Sequence, residues 1–146
     1  MKLKDKIILI TASTRGIGLA CVKACAKEGA VVYMAARNLD LAKEEAEKLN
    51  AEGYNVKYVF NDASKPDSFT TMIEDVVKDS GRIDVLVNNF GTSKPGQDLD
   101  FSNTDVNVFL DTVNINLRSV FAASKEAVKY MAKQGGGSII NISSVG

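Results

Sequence analysis

The sequence predicts an α/β domain built on an open, parallel, doubly wound sheet, and three observations support this fold class. Short apolar runs, typical of strands buried on both faces, alternate with longer segments that have helical periodicity. This rhythm of strand and helix repeats along all 146 residues. The length is near that of a common single domain, and no linker, repeat or low-complexity segment interrupts it. We therefore expect one domain over residues 1–146, with five strands.

Three strands and two helices are predicted in the first half of the chain. Apolar or alternating residues predict strands at Ile7–Thr11, at Val31–Ala36 and at residues 56–60. Small apolar residues at helical spacing after the first strand predict a helix that ends at Gly29. Residues 39–50 are rich in Ala, Glu and Lys, which favour a second helix.

Two more strands and two more helices are predicted in the second half. Pro66 is predicted to open a third helix, which carries a clear apolar stripe and stops at Gly81. Residues 83–87 and 138–142 are predicted strands, with one long helix over residues 104–133 between them. Because a helix separates each strand from the next, the strands are predicted to be parallel.

The composition excludes several classes of function. Lysine plus arginine and aspartate plus glutamate both number 18, so nothing indicates a general nucleic-acid or membrane-surface binder. No apolar run approaches the roughly 20 residues that span a bilayer, and the N-terminus lacks a signal-peptide pattern, so we expect a cytoplasmic protein. The sequence has no histidine, which excludes Ser-His-Asp and Cys-His catalysis.

The two cysteines, Cys21 and Cys25, lie four residues apart in the first predicted helix. Such a pair can be redox-active or can form half of a metal site. Because no histidine or further cysteine is present to complete a metal site, we interpret both as small apolar side chains that pack the helix on the sheet. We therefore expect no bound metal.

The segment TASTRGIG, residues 11–18, joins the first strand to the first helix and has the composition of a phosphate-binding turn. Gly16 and Gly18 would allow the backbone to approach a pyrophosphate and the helix to pack closely on the sheet. Ala12 stands where such loops usually have glycine, and its methyl group fits if the backbone dihedral angle φ is negative. An ordinary tight turn without a ligand is the alternative, but the strand-turn-helix setting favours a nucleotide.

Four motifs follow one another along the chain. They are the loop at residues 11–18, the segment NNFG at residues 88–91, Asn116 on the long helix, and the segment NISS at residues 141–144, which ends in Ser144. In this order they resemble the cofactor loop, the Asn-Asn-Ala-Gly motif, the helix asparagine and the catalytic serine of the short-chain dehydrogenases/reductases. The resemblance covers the whole chain and implies a Rossmann-type sheet that binds a nicotinamide dinucleotide.

The resemblance implies two groups of site residues. The cofactor-binding group is Ser13, Thr14, Arg15, Gly16, Ile17, Gly18, Arg37, Asn38, Asp62, Ala63, Asn88, Asn89 and Gly91. The catalytic group is Asn116, which would hold a water in a proton relay, and Ser144, which would hydrogen-bond the substrate oxygen as hydride moves. Asp62 would bind the adenine amino group. The alternatives are a core amide with satisfied hydrogen bonds at Asn116 and an acid near a helix N-terminus at Asp62.

The end of the second strand indicates which dinucleotide binds. Proteins that bind NAD place an acid there to hold the ribose 2′-hydroxyl, whereas this chain has Ala36 followed by Arg37. Arg37 and Arg15 can both pair with a 2′-phosphate, so NADP is the predicted cofactor. The alternative is that both arginines are solvated surface charges.

The sequence departs from the family in one major respect, because it lacks the Tyr-x-x-x-Lys motif that carries the general acid/base. None of Tyr33, Tyr54, Tyr58 and Tyr130 has a lysine four residues later. The chain therefore resembles the N-terminal part of a longer enzyme that breaks off after the strand carrying the serine. We expect these 146 residues to bind cofactor without catalysing turnover.

Within the family, the segments STRGIGLA, NNFGT and GGGSIINISSVG are most similar to bacterial 7α-hydroxysteroid dehydrogenases, which act on bile acids. This similarity implies a small-molecule secondary alcohol or ketone as substrate. A 3-oxoacyl-carrier-protein reductase and a generic carbonyl reductase are alternatives, and a non-catalytic nucleotide-binding module is an alternative of another class. A flavodoxin-like receiver domain is disfavoured because no acids cluster after the first strand to hold Mg²⁺.

The long predicted helix has more than one apolar strip, whereas a helix that faces water needs only one. One strip is Phe109, Val113, Leu117, Val120 and Phe121, and the other is Ala123, Ala127 and Met131. In the resembling family this helix packs against its copy in another subunit, so the full-length protein is expected to be a homo-oligomer, a dimer or a tetramer, with Ala123 and Ala127 as candidate contacts. The alternative is that the second strip lies under a C-terminal part of the same chain.

Overall fold

The fold is a five-stranded parallel sheet with two helices on each face, described for residues 1–144 by a computed structural model. The strands are β1 (Ile7–Thr11), β2 (Val31–Ala36), β3 (Asn55–Phe60), β4 (Val85–Asn88) and β5 (Ser138–Asn141). The helices are α1 (Gly16–Lys27), α2 (Leu39–Ala51), α3 (Ser68–Ser80) and α4 (Val106–Gln134). The predicted doubly wound sheet is confirmed, and residues 145 and 146 of the predicted domain lie outside the described residues.

The strand order is β3-β2-β1-β4-β5, and every neighbouring pair is parallel. β1 pairs with β2 on one side, where Ile8 lies opposite Val32, and with β4 on the other, where Ile8 lies opposite Val85. The chain therefore builds outward from β1 in one direction and then returns to build in the other. A crevice forms where the connections diverge, at the carboxyl ends of β1 and β4, and ligands of open α/β sheets bind in such crevices.

Two apolar layers hold the helices on the sheet. On one face, α1 and α2 bury Val22 and Leu49 in a cluster with Ile8 of β1. On the other face, α3 and α4 bury Ile73 and Ala127 in a cluster with residues of the same strand. Fully burying a side chain such as Ile73 contributes roughly 1.5–3 kcal/mol to the stability of the fold. Because these layers fix the helices on the sheet, they also fix the loops that connect strands and helices. No helix within residues 1–144 is both long enough and apolar enough to cross a membrane.

Several element boundaries differ from the prediction by one or two residues, and two of these differences have a local cause. α3 begins at Ser68 rather than at Pro66, because the residues around Pro66 form a turn. β4 begins at Val85 rather than at residue 83, because the Gln134 carboxamide binds both the backbone N–H and the backbone C=O of Ile83. At this point a side chain takes the place of a neighbouring strand.

The prediction for α4 is wrong about which apolar strip is available to a partner. Ala123, Ala127 and Met131 are buried within the same chain, in the cluster that joins α3, α4 and the sheet. Small side chains at Ala123 and Ala127 let α4 approach its neighbours closely, which explains their position. Leu117 and Phe121 of the other strip are 65% and 70% exposed. Any contact between subunits through α4 therefore uses the Leu117 side of the helix.

The two cysteines pack as the sequence analysis predicts. Cys21 and Cys25 are free thiols, partly buried against the cluster between the sheet and the helices α1 and α2. Burial raises the pKa of the Cys25 thiol, and the neighbouring Cys21 raises it further. A thiol that stays protonated is a poor nucleophile, which agrees with a packing role for this residue.

Candidate functional site

A cleft of about 580 Å³ opens at the carboxyl ends of the first strands of the sheet. Its walls come from the loops after β1, β2, β3 and β4, together with one side of α4. Six residues predicted from the sequence line it, namely Thr14, Arg15, Arg37, Asn38, Asp62 and Ala63. The cleft lies over the crevice beside β1, where the topology predicts a ligand.

The turn between β1 and α1 has a backbone that differs from the expectation. Ala12 has a φ of 49°, in the left-handed region, so the negative φ that would suit alanine there is not what the turn adopts. An L-residue in this region costs roughly 1–2 kcal/mol relative to ordinary backbone, and the exposed position of Ala12 leaves room for its methyl group. Gly16 also has a positive φ, of 56°. The loop thus keeps its tight turn although the first glycine is replaced.

Gly18 is required by a close approach of atoms rather than by a positive φ. A Cβ added at Gly18 would lie closer than 3.0 Å to the Ala12 carbonyl oxygen, the Ser13 Cα and the Asn89 Nδ2. Two of these three atoms belong to backbone, which cannot move aside as the end of a flexible side chain can. The first turn of α1 therefore rests directly on the loop, as the sequence analysis predicted for this glycine.

Thr11 joins the two loops that flank the crevice. Its buried hydroxyl oxygen accepts hydrogen bonds from the backbone N–H groups of Asn89, at 2.9 Å, and Phe90, at 2.8 Å. The same hydroxyl donates to the Val87 carbonyl oxygen at 3.4 Å, and Asn89 Nδ2 donates to the Ala12 carbonyl oxygen at 3.1 Å. Loops that are far apart in the sequence are thereby held as one wall of the site.

The N-terminus of α1 is arranged to receive an anion. Arg15 is the N-cap residue, with extended backbone, and its side chain makes no capping hydrogen bond. The first backbone N–H groups of a helix have no partner inside the helix, and they carry the positive end of its dipole. Ser13 is buried, and its hydroxyl donates to the Ile10 carbonyl oxygen at 2.8 Å. Of the two predicted loop hydroxyl groups, the one of Thr14 lies on the cleft.

Two guanidinium groups, those of Arg15 and Arg37, line the cleft, and both side chains are exposed. Within residues 1–144, neither takes part in a salt bridge. Ala36, at the end of β2, is buried and brings no acid to this wall. Asn38 caps α2 by accepting a hydrogen bond from the Leu41 N–H at 3.1 Å. The wall therefore offers cations where a carboxylate would repel a phosphate.

Asp62 lines the cleft from a tight turn after β3. Its Oδ1 accepts hydrogen bonds from the Ser64 N–H at 2.9 Å and the Ser64 hydroxyl at 2.8 Å. These bonds hold the pKa of the Asp62 carboxyl below its usual range, and the nearby charges of Arg37 and Lys65 act in the same direction. α3 begins at Ser68, so Asp62 precedes the first turn of that helix. Asp62 presents an ionised carboxylate to the cleft at neutral pH.

Asn88 ends β4 and is buried. Its Nδ2 donates to the Ser124 hydroxyl at 3.1 Å and to the Asn141 Oδ1 at 2.9 Å, which ties β4 to α4 and β5. The protein therefore supplies the partners that this buried amide needs. Asn88 does not line the cleft, so it can act on a ligand only by positioning the loop after β4.

Asn116 holds the loop after β4 against α4. Its Oδ1 accepts from the Thr92 N–H at 2.9 Å, and its Nδ2 donates to the carbonyl oxygens of Thr92, at 2.7 Å, and Thr112, at 2.8 Å. The amide is thus half-buried and has partners for both its oxygen and its nitrogen. The alternative in the sequence analysis, a satisfied amide, matches this geometry, so no water is needed to satisfy it.

Neither Ser144 nor Gly91 is among the described residues that line the cleft. Ser144 follows β5 and is exposed, and Gly91 is exposed in the loop after β4. A Cβ added at Gly91 would lie 3.5 Å from the Asn116 Oδ1, an ordinary contact. The fold therefore brings six of the cofactor-binding candidates together in one cleft, and neither Asn116 nor Ser144 is among the described residues that line it.

Three residues that the sequence analysis gave no role shape the site. Thr92 and Ile115 line the cleft, and Thr11 connects its loops. A hydroxyl residue at the end of the apolar run of β1 is a signal that could have identified Thr11, since a buried hydroxyl needs partners. An apolar residue on a helix, such as Ile115, carries no comparable signal.

Comparisons with known proteins agree with this geometry. The family model described as short chain dehydrogenase matches residues 6–146. A 7α-hydroxysteroid dehydrogenase of Paraclostridium sordellii is 46% identical over 144 residues, which are 99% of this chain and 54% of that protein. A 7α-hydroxysteroid dehydrogenase of Clostridium sardiniense is 41% identical over 99% of this chain and 55% of that protein. A 3-oxoacyl-[acyl-carrier-protein] reductase of Thermotoga maritima is 39% identical over 99% of this chain and 58% of that protein.

A solved structure of a short chain dehydrogenase from Mycobacterium smegmatis superposes with a TM-score of 0.88 at 31% identity, covering 99% of this chain and 60% of that one. A short-chain dehydrogenase/reductase variant from Serratia marcescens gives 0.86 at 30% identity, covering 99% and 58%. This chain thus spans little more than half the length of the proteins it matches. Because the family model matches nearly the whole chain and the sheet carries the expected crevice, the chain belongs to the short-chain dehydrogenase family.

Proposed function

We propose that this chain is the cofactor-binding part of an NADP-dependent oxidoreductase that transfers a hydride between the nicotinamide and a secondary alcohol or ketone. The observation that carries the proposal is the cleft at the crevice, with Arg15 and Arg37 on its wall and no acid at the end of β2. A carboxylate there would favour NAD by binding the ribose 2′-hydroxyl, whereas a guanidinium pairs with the 2′-phosphate of NADP.

The donors of the cleft fit the parts of this dinucleotide. The pyrophosphate suits the free N–H groups at the start of α1, from Gly16 to Gly18, with the Thr14 hydroxyl beside them. The 2′-phosphate suits the two guanidinium groups, next to Asn38. The adenine amino group suits the Asp62 carboxylate and the Ala63 backbone. Asn88 at the end of β4, and Asn89 and Gly91 in the loop that follows, are proposed to serve the nicotinamide half, and Ile17 is exposed on the first turn of α1.

The full-length protein is expected to bind NADPH more tightly than NADH. One or two charge-assisted contacts to the 2′-phosphate, each worth about 1.5–3 kcal/mol, predict a preference between roughly tenfold and roughly ten-thousandfold. Arg37→Asp removes one cation and adds a charge that repels the phosphate, so it should weaken NADPH binding far more than NADH binding. Titration of both cofactors, followed by fluorescence or calorimetry, measures the ratio.

A matched variant separates local contacts from net charge. Lys78 is an exposed cation in the last turn of α3, away from the loop between β3 and α3 that lines the cleft, so Lys78→Asp makes the same change of charge at a distance. It should leave the ratio of NADPH to NADH affinity nearly unchanged. Equal affinities of the wild-type protein for the two cofactors, or a preference for NADH, would exclude the assignment of NADP.

When bound, a nicotinamide would supply the hydride chemistry, and the residues of this chain are proposed to orient the partners of that transfer. Ser144, exposed after β5, is the group proposed to hydrogen-bond the substrate oxygen and to stabilise the charge that develops on it. Asn116 is proposed to belong to the same catalytic set. Its side chain already holds Thr92 by two hydrogen bonds, so its contribution is to fix the loop that follows β4.

The 146-residue chain is expected to bind NADPH but to show no turnover. The family's general acid/base belongs to Tyr-x-x-x-Lys, which the 146 residues do not contain. The assay compares this chain with the full-length protein on a panel of ketones, and NADPH binding by the short chain verifies that its cleft is intact. Steady turnover by the short chain would contradict the proposed division of roles.

The proposed substrate class is a hydroxysteroid, such as a bile acid, and its oxidised ketone. The support is the identity of 46% and 41% with two 7α-hydroxysteroid dehydrogenases. A 3-oxoacyl thioester is the second candidate, because the reductase of Thermotoga maritima is 39% identical. Comparing the two substrate classes in the full-length protein decides between them.

The full-length protein is proposed to be a homo-oligomer, a dimer or a tetramer. The support is the apolar strip of α4 that this chain leaves uncovered, with Leu117 at 65%, Phe121 at 70% and Phe109 at 58% exposure. Such a strip is larger than the scattered apolar residues of an ordinary surface. A second subunit, or the remaining part of the same polypeptide, would cover it.

A further inference from the structure

The free edge of β3 has no part in the proposed function. β3 is the outermost strand, paired with β2 alone, and a groove of about 650 Å³ runs along it between α2 and α3. An edge strand offers unpaired N–H and C=O groups to any other strand, and proteins commonly block such edges with lysine, proline or a bulge. β3 has no proline, and its one lysine, Lys57, is held by Asp79 of α3, with 2.8 Å between Nζ and Oδ2.

Asn50, near the end of α2, blocks part of this edge. Its Oδ1 accepts a hydrogen bond from the Val56 N–H at 2.8 Å, and its Nδ2 donates to the Val56 carbonyl oxygen at 2.9 Å. The oxygen of a side-chain amide and one of its two N–H groups lie side by side, as the C=O and N–H of a single residue do along the edge of a strand. Asn50 therefore makes at Val56 the pair of hydrogen bonds that a neighbouring strand would otherwise make.

The block leaves two outward residues open. The backbone N–H of Asn61 donates to the Ala36 carbonyl oxygen, so the backbone groups of Asn61 point toward β2. The backbone groups of Val56 point the other way, toward the free edge, where Asn50 binds them. Backbone groups alternate in direction along a strand, so Tyr58 and Phe60 face outward like Val56. Asn50 thus closes the start of the edge and leaves its end accessible.

The edge is suited to pair with a second copy of itself. In an antiparallel pair centred on Tyr58, Val56 of one copy lies opposite Phe60 of the other. Each outward pair exchanges two hydrogen bonds, so a fully open edge would form about six and the blocked edge about two. The two-fold axis produces two pairs between Val56 and Phe60, and Asn50 blocks Val56 in each of them, so four of the six hydrogen bonds are lost.

The side chains of the strand raise no obstacle to this pairing. The sequence NVKYVF, residues 55–60, is rich in β-branched and aromatic residues, which favour strand association. Its one charged residue, Lys57, would lie opposite Val59, so no like charges face each other. We infer that the β3 edge is a latent strand-pairing surface for a second copy of this chain, and that the Asn50 carboxamide keeps it closed.

Replacing Asn50 with alanine in the full-length protein tests this inference. Asn50→Ala should self-associate beyond the wild-type assembly state, with a dissociation constant for the new contact lower by about tenfold or more, since four further hydrogen bonds become available. Sedimentation velocity over a range of concentrations measures the association. Hydrogen exchange should show that the Tyr58 and Phe60 amides become protected as the concentration rises.

Two further variants make the outcome decisive. Asn55→Ala removes an exposed amide from the same strand and should leave the association unchanged. Adding Tyr58→Pro to Asn50→Ala removes an outward N–H and should reverse the association, because proline is tolerated on an edge but cannot donate there. Circular dichroism checks that each variant is folded. A folded Asn50→Ala that is merely less stable, or one that captures a different protein rather than its own copy, would overturn the inference.

Discussion

Gly18→Ala is expected to prevent NADPH binding at ordinary cofactor concentrations and to lower the free energy of unfolding by roughly 2–3 kcal/mol. The added Cβ would lie closer than 3.0 Å to the Ala12 carbonyl oxygen and to the Asn89 Nδ2. To relieve these contacts, α1 must move away from the loop, which displaces the free N–H groups of its first turn. Urea denaturation measures the stability, and titration with NADPH measures the binding.

Gly53→Ala is the control for this change. Gly53 has a φ of 92°, and an added Cβ would meet no atom within 4 Å, so alanine there strains the backbone without a steric clash. It should cost about 1 kcal/mol of unfolding free energy and leave NADPH binding intact. If Gly18→Ala binds NADPH as the wild-type protein does, the proposed contact between α1 and the cofactor is wrong.

Asp84→Ala is expected to lower the free energy of unfolding by about 2–4 kcal/mol. The buried Asp84 carboxylate accepts hydrogen bonds from the Ile7 N–H at 2.9 Å and from the Arg82 Nη2 at 2.6 Å. Alanine removes both bonds and leaves the N–H at the start of β1 without its partner. Asp75→Ala, at an exposed carboxylate of α3, should change the unfolding free energy little.

The same carboxylate should contribute to the pH dependence of stability. Burial alone raises the pKa of the Asp84 carboxyl, but the hydrogen bonds from Arg82 and from the Ile7 N–H outweigh it and hold the pKa below its usual range. Since the unfolded-state pKa is about 3.9, ionised Asp84 stabilises the fold above that pH, and its contribution is lost as the pH falls through the folded-state pKa. Asp84→Asn should therefore lose stability less steeply than the wild-type protein below about pH 4. If the free energy of unfolding fell equally steeply with decreasing pH in the two proteins, Asp84 would not be stabilised as an anion.

The fold could be predicted from the sequence because its signals are local. The buried run of Ile7–Thr11 and the apolar stripe of α3 each report on one element, and the alternation of elements fixes the topology. The glycine loop was recognised for the same reason, since its residues are consecutive. Gly18 kept its predicted role, whereas the backbone of Ala12 adopts a conformation that alanine does not reveal.

The parts of the site that could not be predicted depend on distant partners. The amide of Asn116 is satisfied by the backbone of Thr92, which lies on a loop well before it in the sequence. The Ser13 hydroxyl turns to the Ile10 carbonyl oxygen although the neighbouring Thr14 lines the cleft. On α4, the spacing of Ala123 and Ala127 indicates a shared strip but not whether it meets the same chain or another.

The order of the strands in the sheet determines which strands can pair first while the chain is being synthesised. β1, β2 and β3 are contiguous in sequence and in the sheet, so this half can pair early, through contacts of short sequence separation. The other edge of β1 stays bare until β4 emerges, and the Thr11 hydroxyl meets Asn89 and Phe90 only then. A nascent chain paused before residue 89 would hold half a nucleotide cleft and an apolar strand edge open to neighbouring nascent chains.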